Sequence, residues 1–237
     1  ISMAVLIGGV MKALVAIACS REWTETEFMQ QFGSWIIPKG WQVQFGWMRQ
    51  HSSAERHNTA LGEAKYNYDR LLFMDTDQVY PRDFISMMLA HEEPVVTALN
   101  VSKYYPYEFT TYRIIGEDQI EGQTIPQWEY LDPPEEKIFT CDLTGTGALM
   151  IDAKILTGLP LPFCRDVYGN AGQRLLPDDF YFAWNLHKAG YRILVDQNIQ
   201  VKHIAKLLVG TENRIEMKRA WEAVNSGQGH WKDGKKA

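Results

Sequence analysis

The run LLFM inside YDRLLFMD, residues 68–75, is apolar at every position and lies between two segments of helical pattern. A strand that is apolar on both faces must be covered on both. A sheet with helices on each side does this, whereas a half-exposed antiparallel sheet does not. The neighbours agree. KALVAIACS reads as a first strand, buried over 13–19, TETEFMQQFGSWI as a helix with Thr24 as candidate N-cap, and WQVQFGWM as a second strand of alternating character. Ser52 or Ser53 caps a helix through ERHNTALGEAKYN; after YDRLLFMD come a helix RDFISMMLAH and a strand PVVTALN. This alternation predicts an α/β fold. In open sheets of this kind ligands bind beyond the carboxyl ends of the strands, so Cys19, Ser20 and Arg21 should share a rim with Asp75, Thr76 and Asp77.

The second half changes character. KYYPYEFTTYRII and QWEYLDPPEEKIFTCDL carry aromatic and β-branched runs broken by turns, which predicts antiparallel strands or a long excursion over the rim. TGTGALMIDAKIL follows, then a loop over 160–177, a helix DDFYFAWNLHKAG, a strand YRILVDQNIQVKHI and a polar helical tail from 211 to 237. With no Pro-, Gly- or Ser-rich linker and no charge block, residues 11–237 are expected to form one domain. Residues 1–10 are set aside as a leader, disordered or left from expression, with Met3 and Met11 each a candidate start.

A net charge of −5 with no basic stripe argues against nucleic acid as a partner. An anionic substrate would need a local device such as a metal ion. Three cysteines in no metal-ligand spacing suggest reduced thiols and a cytoplasmic protein. Lys12 interrupts the apolar stretch AVLIGGVMKALVAIA, so no transmembrane segment is expected.

Asp75 and Asp77 straddle a strand end, where the chain turns and both carboxylates can converge on one hard cation; alternatively one holds the metal and the other a sugar hydroxyl. Their ordinary reading is a strand end and a cap for the helix begun near Pro81. About a hundred residues later, Asp178 and Asp179 open a helix, where capping alone would explain them, and His203 closes a strand. The tryptophans Trp23, Trp35, Trp41, Trp47 and Trp184 read as packing, whereas Tyr104, Tyr105 and Tyr107 are candidate acceptor contacts.

Five segments in this order resemble a GT-A glycosyltransferase, close to family 2 of those enzymes, over residues 12–204. They are KALVAIACS, ERHNTAL, the DxD of LLFMDTD, the glycine-bearing TGTGALMID, and DDFYFAWNLHKAGYRI. The resemblance implies a single GT-A, Rossmann-like domain with a mixed, mainly parallel central sheet flanked by helices. Residues 11–100 would be its nucleotide-sugar half and 101–210 its acceptor half. It further implies that Asp77 and His203, with Asp75, hold Mn2+ or Mg2+, and that Asp75 reaches the ribose or donor sugar. Ser20 and Arg21 would border the nucleotide, Arg56 and Asn58 would support the diphosphate or the DxD loop, and Gly145 and Gly147 would let backbone approach the donor sugar. Asp179 would activate the acceptor, with Asp178 in the place of the preceding glutamate. The donor implied is a nucleotide-sugar, UDP- or GDP-linked foremost, and the acceptor a glycan or a lipid-linked molecule. Two departures stand out: Asp178 replaces the usual glutamate, and the first strand ends in ACS where many relatives have a proline.

LLFMDTDQV also matches the DxDx[TV] signature of haloacid dehalogenase-like phosphatases, although there the motif should close the chain's first strand. A nucleotidyltransferase or a non-catalytic nucleotide-sugar-binding module on the same fold are the remaining alternatives.

Overall fold

The computed structural model describes residues 10–19, 26–102 and 108–204; Ser20, Arg21, Trp23, Thr24, the tyrosines at 104, 105 and 107, the leader and the tail lie outside these. In chain order the elements are β1 (Met11–Ala18), α1 (Thr26–Gln31), β2 (Trp41–Met48), α2 (Ser53–Asn67), β3 (Arg70–Asp75), β4 (Gln78–Val79), α3 (Phe84–Leu89) and β5 (Val95–Leu99). Then come β6 (Thr111–Ile120), β7 (Gln123–Tyr130), β8 (Ile138–Cys141), β9 (Leu143–Thr144), β10 (Leu149–Asp152) and a 3-10 turn (Ala153–Gly158). The last are β11 (Val167–Tyr168), β12 (Arg174–Leu176), α4 (Asp178–Lys188), β13 (Ile193–Gln200) and β14 (Lys202–His203).

Seven strands form one sheet in the order β2-β1-β3-β10-β5-β13-β8. Strands β1, β2, β3, β5 and β13 run one way and β10 and β8 the other, so the sheet is mixed and mainly parallel, as expected. Its two faces bury two cores by strand parity. Leu14, Ala16, Leu71 and Phe73 share one with Ala60 and Leu61 of α2 and Phe182 and Leu186 of α4. Ala13, Val15, Ile17, Leu72 and Met74 share the other with Phe28 of α1 and Phe84, Ile85 and Met88 of α3. The unbroken LLFM run is thus covered from both sides, each large side chain contributing about 1.5–3 kcal/mol.

Helix α2 begins with a reciprocal cap: Glu55 N–H donates to Ser52 Oγ at 3.1 Å, and Ser52 N–H to Glu55 Oε2 at 3.2 Å. One segment departs from expectation, and another takes the first of the two forms expected of it. Helix α1 ends at Gln31 rather than running to Ile36, because the chain turns at Gly33, whose φ of 87° favours glycine. The aromatic second half forms a long hairpin, β6 with β7, closed by Glu121 and Gly122 at φ 53° and 78°, the two positive values that a tight two-residue hairpin turn demands.

Candidate functional site

The carboxyl ends of β1 and β3 lie side by side, Ala18 opposite Asp75. Beyond Asp75 the chain turns through Thr76 and Asp77 into β4, which pairs antiparallel with β14 and sets Gln78 opposite His203. This short ladder carries His203 to the DxD turn across 125 residues of sequence. Its Nδ1 bonds to Val101 O, which must be a donation because the carbonyl can only accept, and the other ring nitrogen, Nε2, faces the turn. That nitrogen is 4.0 Å from Asp77 Oδ1 and 3.0 Å from Gln78 Nε2, which donates to it.

Tyr80 fixes the turn from beneath. Asp75 N–H donates to its hydroxyl at 2.7 Å, and the hydroxyl lies 2.6 Å from Gly147 O and 2.9 Å from Gln78 Oε1. Burial first, then the charge of Asp75, push this phenol well above its ordinary range, so it remains a donor. Gly147 must be bare: a Cβ there would lie 2.4 Å from Gln78 Nε2 and 2.7 Å from Asp75 Oδ2. One on Gly145 would lie 3.7 Å from Asp179 Oδ2. Asp75 and Asp179 therefore approach the same TGTG loop two residues apart.

Asp75, Asp77, Gly145, Gly147, Asp179, His203 and Arg56 all line one cleft of about 290 Å³. Arg56 donates from Nη1 to Gln50 O at 3.0 Å, and its buried Nε has no partner. Arg70 is buried too, but spends its guanidinium on the carbonyls of His91, Glu92 and Glu93. It is a structural arginine, and Arg56 is the one at the cleft.

The second acid pair splits. Helix α4 has Pro177 at its N-cap with no side-chain cap bond, so neither aspartate is that cap. Asp178 turns away from the cleft and sits 5% exposed with Oδ2 2.7 Å from His57 Nδ1. Burial pushes its carboxyl up, but the hydrogen bond and charge of His57, with a bond from Ser53, outweigh burial and hold it below the usual range. Being ionised, Asp178 makes Nδ1 the donor. His57 Nε2 is bonded to Thr146 Oγ1 at 3.0 Å. Asp179, one residue on, lines the cleft, accepts from Phe180 N–H at 2.9 Å, and is pushed up to about 6 by burial and by the charge of Asp178.

Asn58 is not at the cleft. Its side chain donates to Ala54 O and Cys164 O and accepts from Cys164 N–H, clamping the loop before β11 onto α2. Ser20 and Arg21 lie outside the described residues. The sequence reading did not single out His57, Gln78, Tyr80 or Thr146. His57 had a signal: it falls with Ala60, Leu61 and Ala64 on the buried i, i+3, i+4, i+7 stripe of α2, where a polar residue needs a partner.

Two groups could hold a metal. Asp77, His203 and Asp75 offer oxygen and nitrogen donors at the cleft wall, the kind that Mn2+ and Mg2+ take. His57, Cys164 and Asp178 also bring ligand atoms within 4.8 Å of one another. In that group Nδ1 already donates to Asp178, and burial, then the charges of Asp178 and Asp179, push the Cys164 thiol well above its ordinary range. The cleft set carries the oxygen and nitrogen donor types that a dication takes, with His203 Nε2 accepting from Gln78 until an ion replaces that amide. None of the described helices is long and apolar enough to cross a membrane.

No protein-family model matches the chain, and no curated protein matches it by sequence. Solved structures do resemble it. A197 from STIV matches with a TM-score of 0.53 and 17% identity, over 83% of this chain and 87% of that one. GalNAc-T7, solved with UDP, GalNAc and Mn2+, matches with a TM-score of 0.46 and 11% identity, over 84% of this chain and 44% of that one. At these identities the likeness concerns the fold alone, which is GT-A-like: a mixed, mainly parallel sheet flanked by helices.

Proposed function

We propose that the chain is a metal-dependent glycosyltransferase that moves a sugar from a nucleotide-sugar to an acceptor hydroxyl with inversion. The observation that carries this reading is the meeting of Asp75, Asp77 and His203 with Asp179 in one cleft, from segments about a hundred residues apart. Asp77 and His203, with Asp75, would hold Mn2+ or Mg2+, which when bound stabilises the negative charge of a departing nucleoside diphosphate. Arg56 would add a fixed positive charge beside it, and Ser20 and Arg21 would border the nucleotide. Gly145 and Gly147 put no side chain against Asp179 and Asp75, leaving room for the donor sugar. Asp179 would take the acceptor hydroxyl's proton; a carboxyl raised to about 6 holds a proton far better than an ordinary aspartate yet is ionised at neutral pH. UDP- and GDP-sugars are the foremost donors, and a glycan or lipid-linked molecule the acceptor.

The phosphatase reading requires the DxD to close the first strand, but here Asp75 closes the third, between β1 and β10. A nucleotidyltransferase would use the same metal and release pyrophosphate instead of nucleoside diphosphate.

The test is a thermal-shift screen of UDP-, GDP-, CMP- and dTDP-sugars with and without Mn2+, followed by product analysis. A donor at a hundred times its Kd stabilises the fold by about 2.7 kcal/mol. That shift should need the metal and vanish in Asp77→Ala. A donor shift that is the same without metal, or pyrophosphate as product, would sink this assignment.

A further inference from the structure

We propose that His57 is a positioning residue for Asp179: through Asp178 and Thr146 it ties the start of α4 to the TGTG loop and so fixes where the base stands against the donor side of the cleft. This rests on the reading of Asp179 as base. The imidazole, 3% exposed, touches three of the segments that carry cleft residues. Nδ1 donates to Asp178 Oδ2 at 2.7 Å, beside Asp179. Nε2 meets Thr146 Oγ1 at 3.0 Å, between Gly145 and Gly147. The ring stands edge-on to Phe73, centroids 5.1 Å apart, two residues before Asp75 on β3.

The α4 terminus makes this contact matter. Pro177 gives it no side-chain cap, so the His57–Asp178 bond, with the bond from Ser53, anchors the first turn, and Asp179 sits on that turn. The capping box at Ser52 fixes the first turn of α2, where His57 resides. A rigid helix start on one side thereby sets the register of a less constrained one on the other.

Two substitutions separate positioning from packing. Asn places an amide near the Nδ1 position and can still donate to Asp178, whereas Gln places it near Nε2 and cannot. His57→Asn should keep kcat within about tenfold, and His57→Gln should lose about a hundredfold, the cost of misplacing a catalytic group by an ångström. Donor Kd, measured by calorimetry with Mn2+, should stay within about threefold for both, since binding does not involve Asp179. Asp178→Asn in the His57→Gln background should lower kcat little further, because both act through one contact. Equal kcat in the two His57 variants, or losses that multiply in the double variant, would overturn the proposal. Should His57→Gln fail to fold, Thr146→Val removes the hydroxyl alone and should lower kcat with donor Kd unchanged; an unaltered kcat there counts against the proposal.

A second readout does not depend on turnover. The Phe180 amide, which donates to Asp179 Oδ1, should exchange with solvent faster in His57→Gln than in wild type, and at the wild-type rate in His57→Asn. If wild type turns over no nucleotide-sugar, the proposed function fails and kcat says nothing of His57. Exchange still decides: identical Phe180 rates in all three proteins would sink the positioning role by itself.

Discussion

Asp75, Asp77 and Asp179 line one cleft, Asp178 turns away from it beside Asp179, and what surrounds the two pairs differs. The first pair closes a strand and enters a turn held by hydrogen bonds, among them a glutamine amide donated to His203 and a tyrosine hydroxyl that meets Asp75 and Gln78. The second pair opens a helix, and its members are driven apart. His57 holds Asp178 ionised below the usual range, and that charge, added to burial, raises Asp179 to about 6. Two carboxylates converging on one turn suit a shared cation, whereas two pushed in opposite directions give one permanent anion and one proton acceptor. Spacing in sequence says only that acids are near; the neighbours assign the work.

The largest effect that would break this contrast is on transfer. Asp179→Asn should lower kcat by about 10²–10⁴-fold, the usual worth of a positioned base, while metal-dependent donor binding remains. Wild-type kcat should fall about tenfold per pH unit below about 6, because the base is then protonated, and the surviving rate of the variant should lack that limb. A pH–rate profile of the two proteins checks both. Full transfer by Asp179→Asn would place the base elsewhere and leave the pairs without distinct roles.

A middle-sized effect sharpens the donor side. Gly147→Ala puts a methyl 2.4 Å from Gln78 Nε2 and 2.7 Å from Asp75 Oδ2, and the glutamine is tethered by Tyr80 and His203. Overpacking of this kind costs about 1–3 kcal/mol, and it displaces a proposed metal carboxylate. Gly145→Ala meets only Asp179 Oδ2 at 3.7 Å, an ordinary contact, and should stay within about 0.5 kcal/mol of wild type. Urea melts and Mn2+ titration of both variants should separate them. Equal behaviour would mean that the loop is not packed against the DxD turn.

The same division separates what could be read from the sequence. Strand β3, its DxD and helix α4 follow from local pattern, because an apolar run and a 3.6-residue stripe are set by burial close in sequence. His203 was placed by its position at a strand end, and β14 delivers it to Gln78. The His57–Asp178 bond spans 121 residues and the Asn58–Cys164 clamp 106, and no local pattern encodes such a pairing. The resemblance of ERHNTAL to a family segment pairs Asn58 with Arg56, but on a helix residues two apart point in different directions, and of the two Arg56 reaches the cleft. The hairpin turn was missed because Glu121 takes a positive φ that Asn or Asp adopts more readily.

The smallest effect concerns stability, and here the two neighbouring aspartates should act with opposite sign. Asp179, raised from the ordinary value to about 6, is protonated in the folded chain where the unfolded chain is already ionised. Its ionisation therefore costs stability as pH rises from about 4 through about 6, and the cost is complete above that. Replacing it by Asn keeps an acceptor for Phe180 N–H and removes the cost. A shift of roughly two units sets an upper bound of about 3 kcal/mol, at about 1.4 kcal/mol per unit. Asp179→Asn should thus melt several degrees higher than wild type at pH 8, at about 2–4 °C per kcal/mol for a chain of this size, and level with it below about pH 4. Asp178 is lowered, so its charge contributes stability at neutral pH that is lost as the solution is acidified through its folded value. Asp178→Asn should therefore melt lower than wild type at pH 8 and approach it in acid. Melting curves of the three proteins from pH 4 to 8 would show two lines diverging from wild type in opposite directions. If both variants moved the same way, His57 would not be dividing the pair.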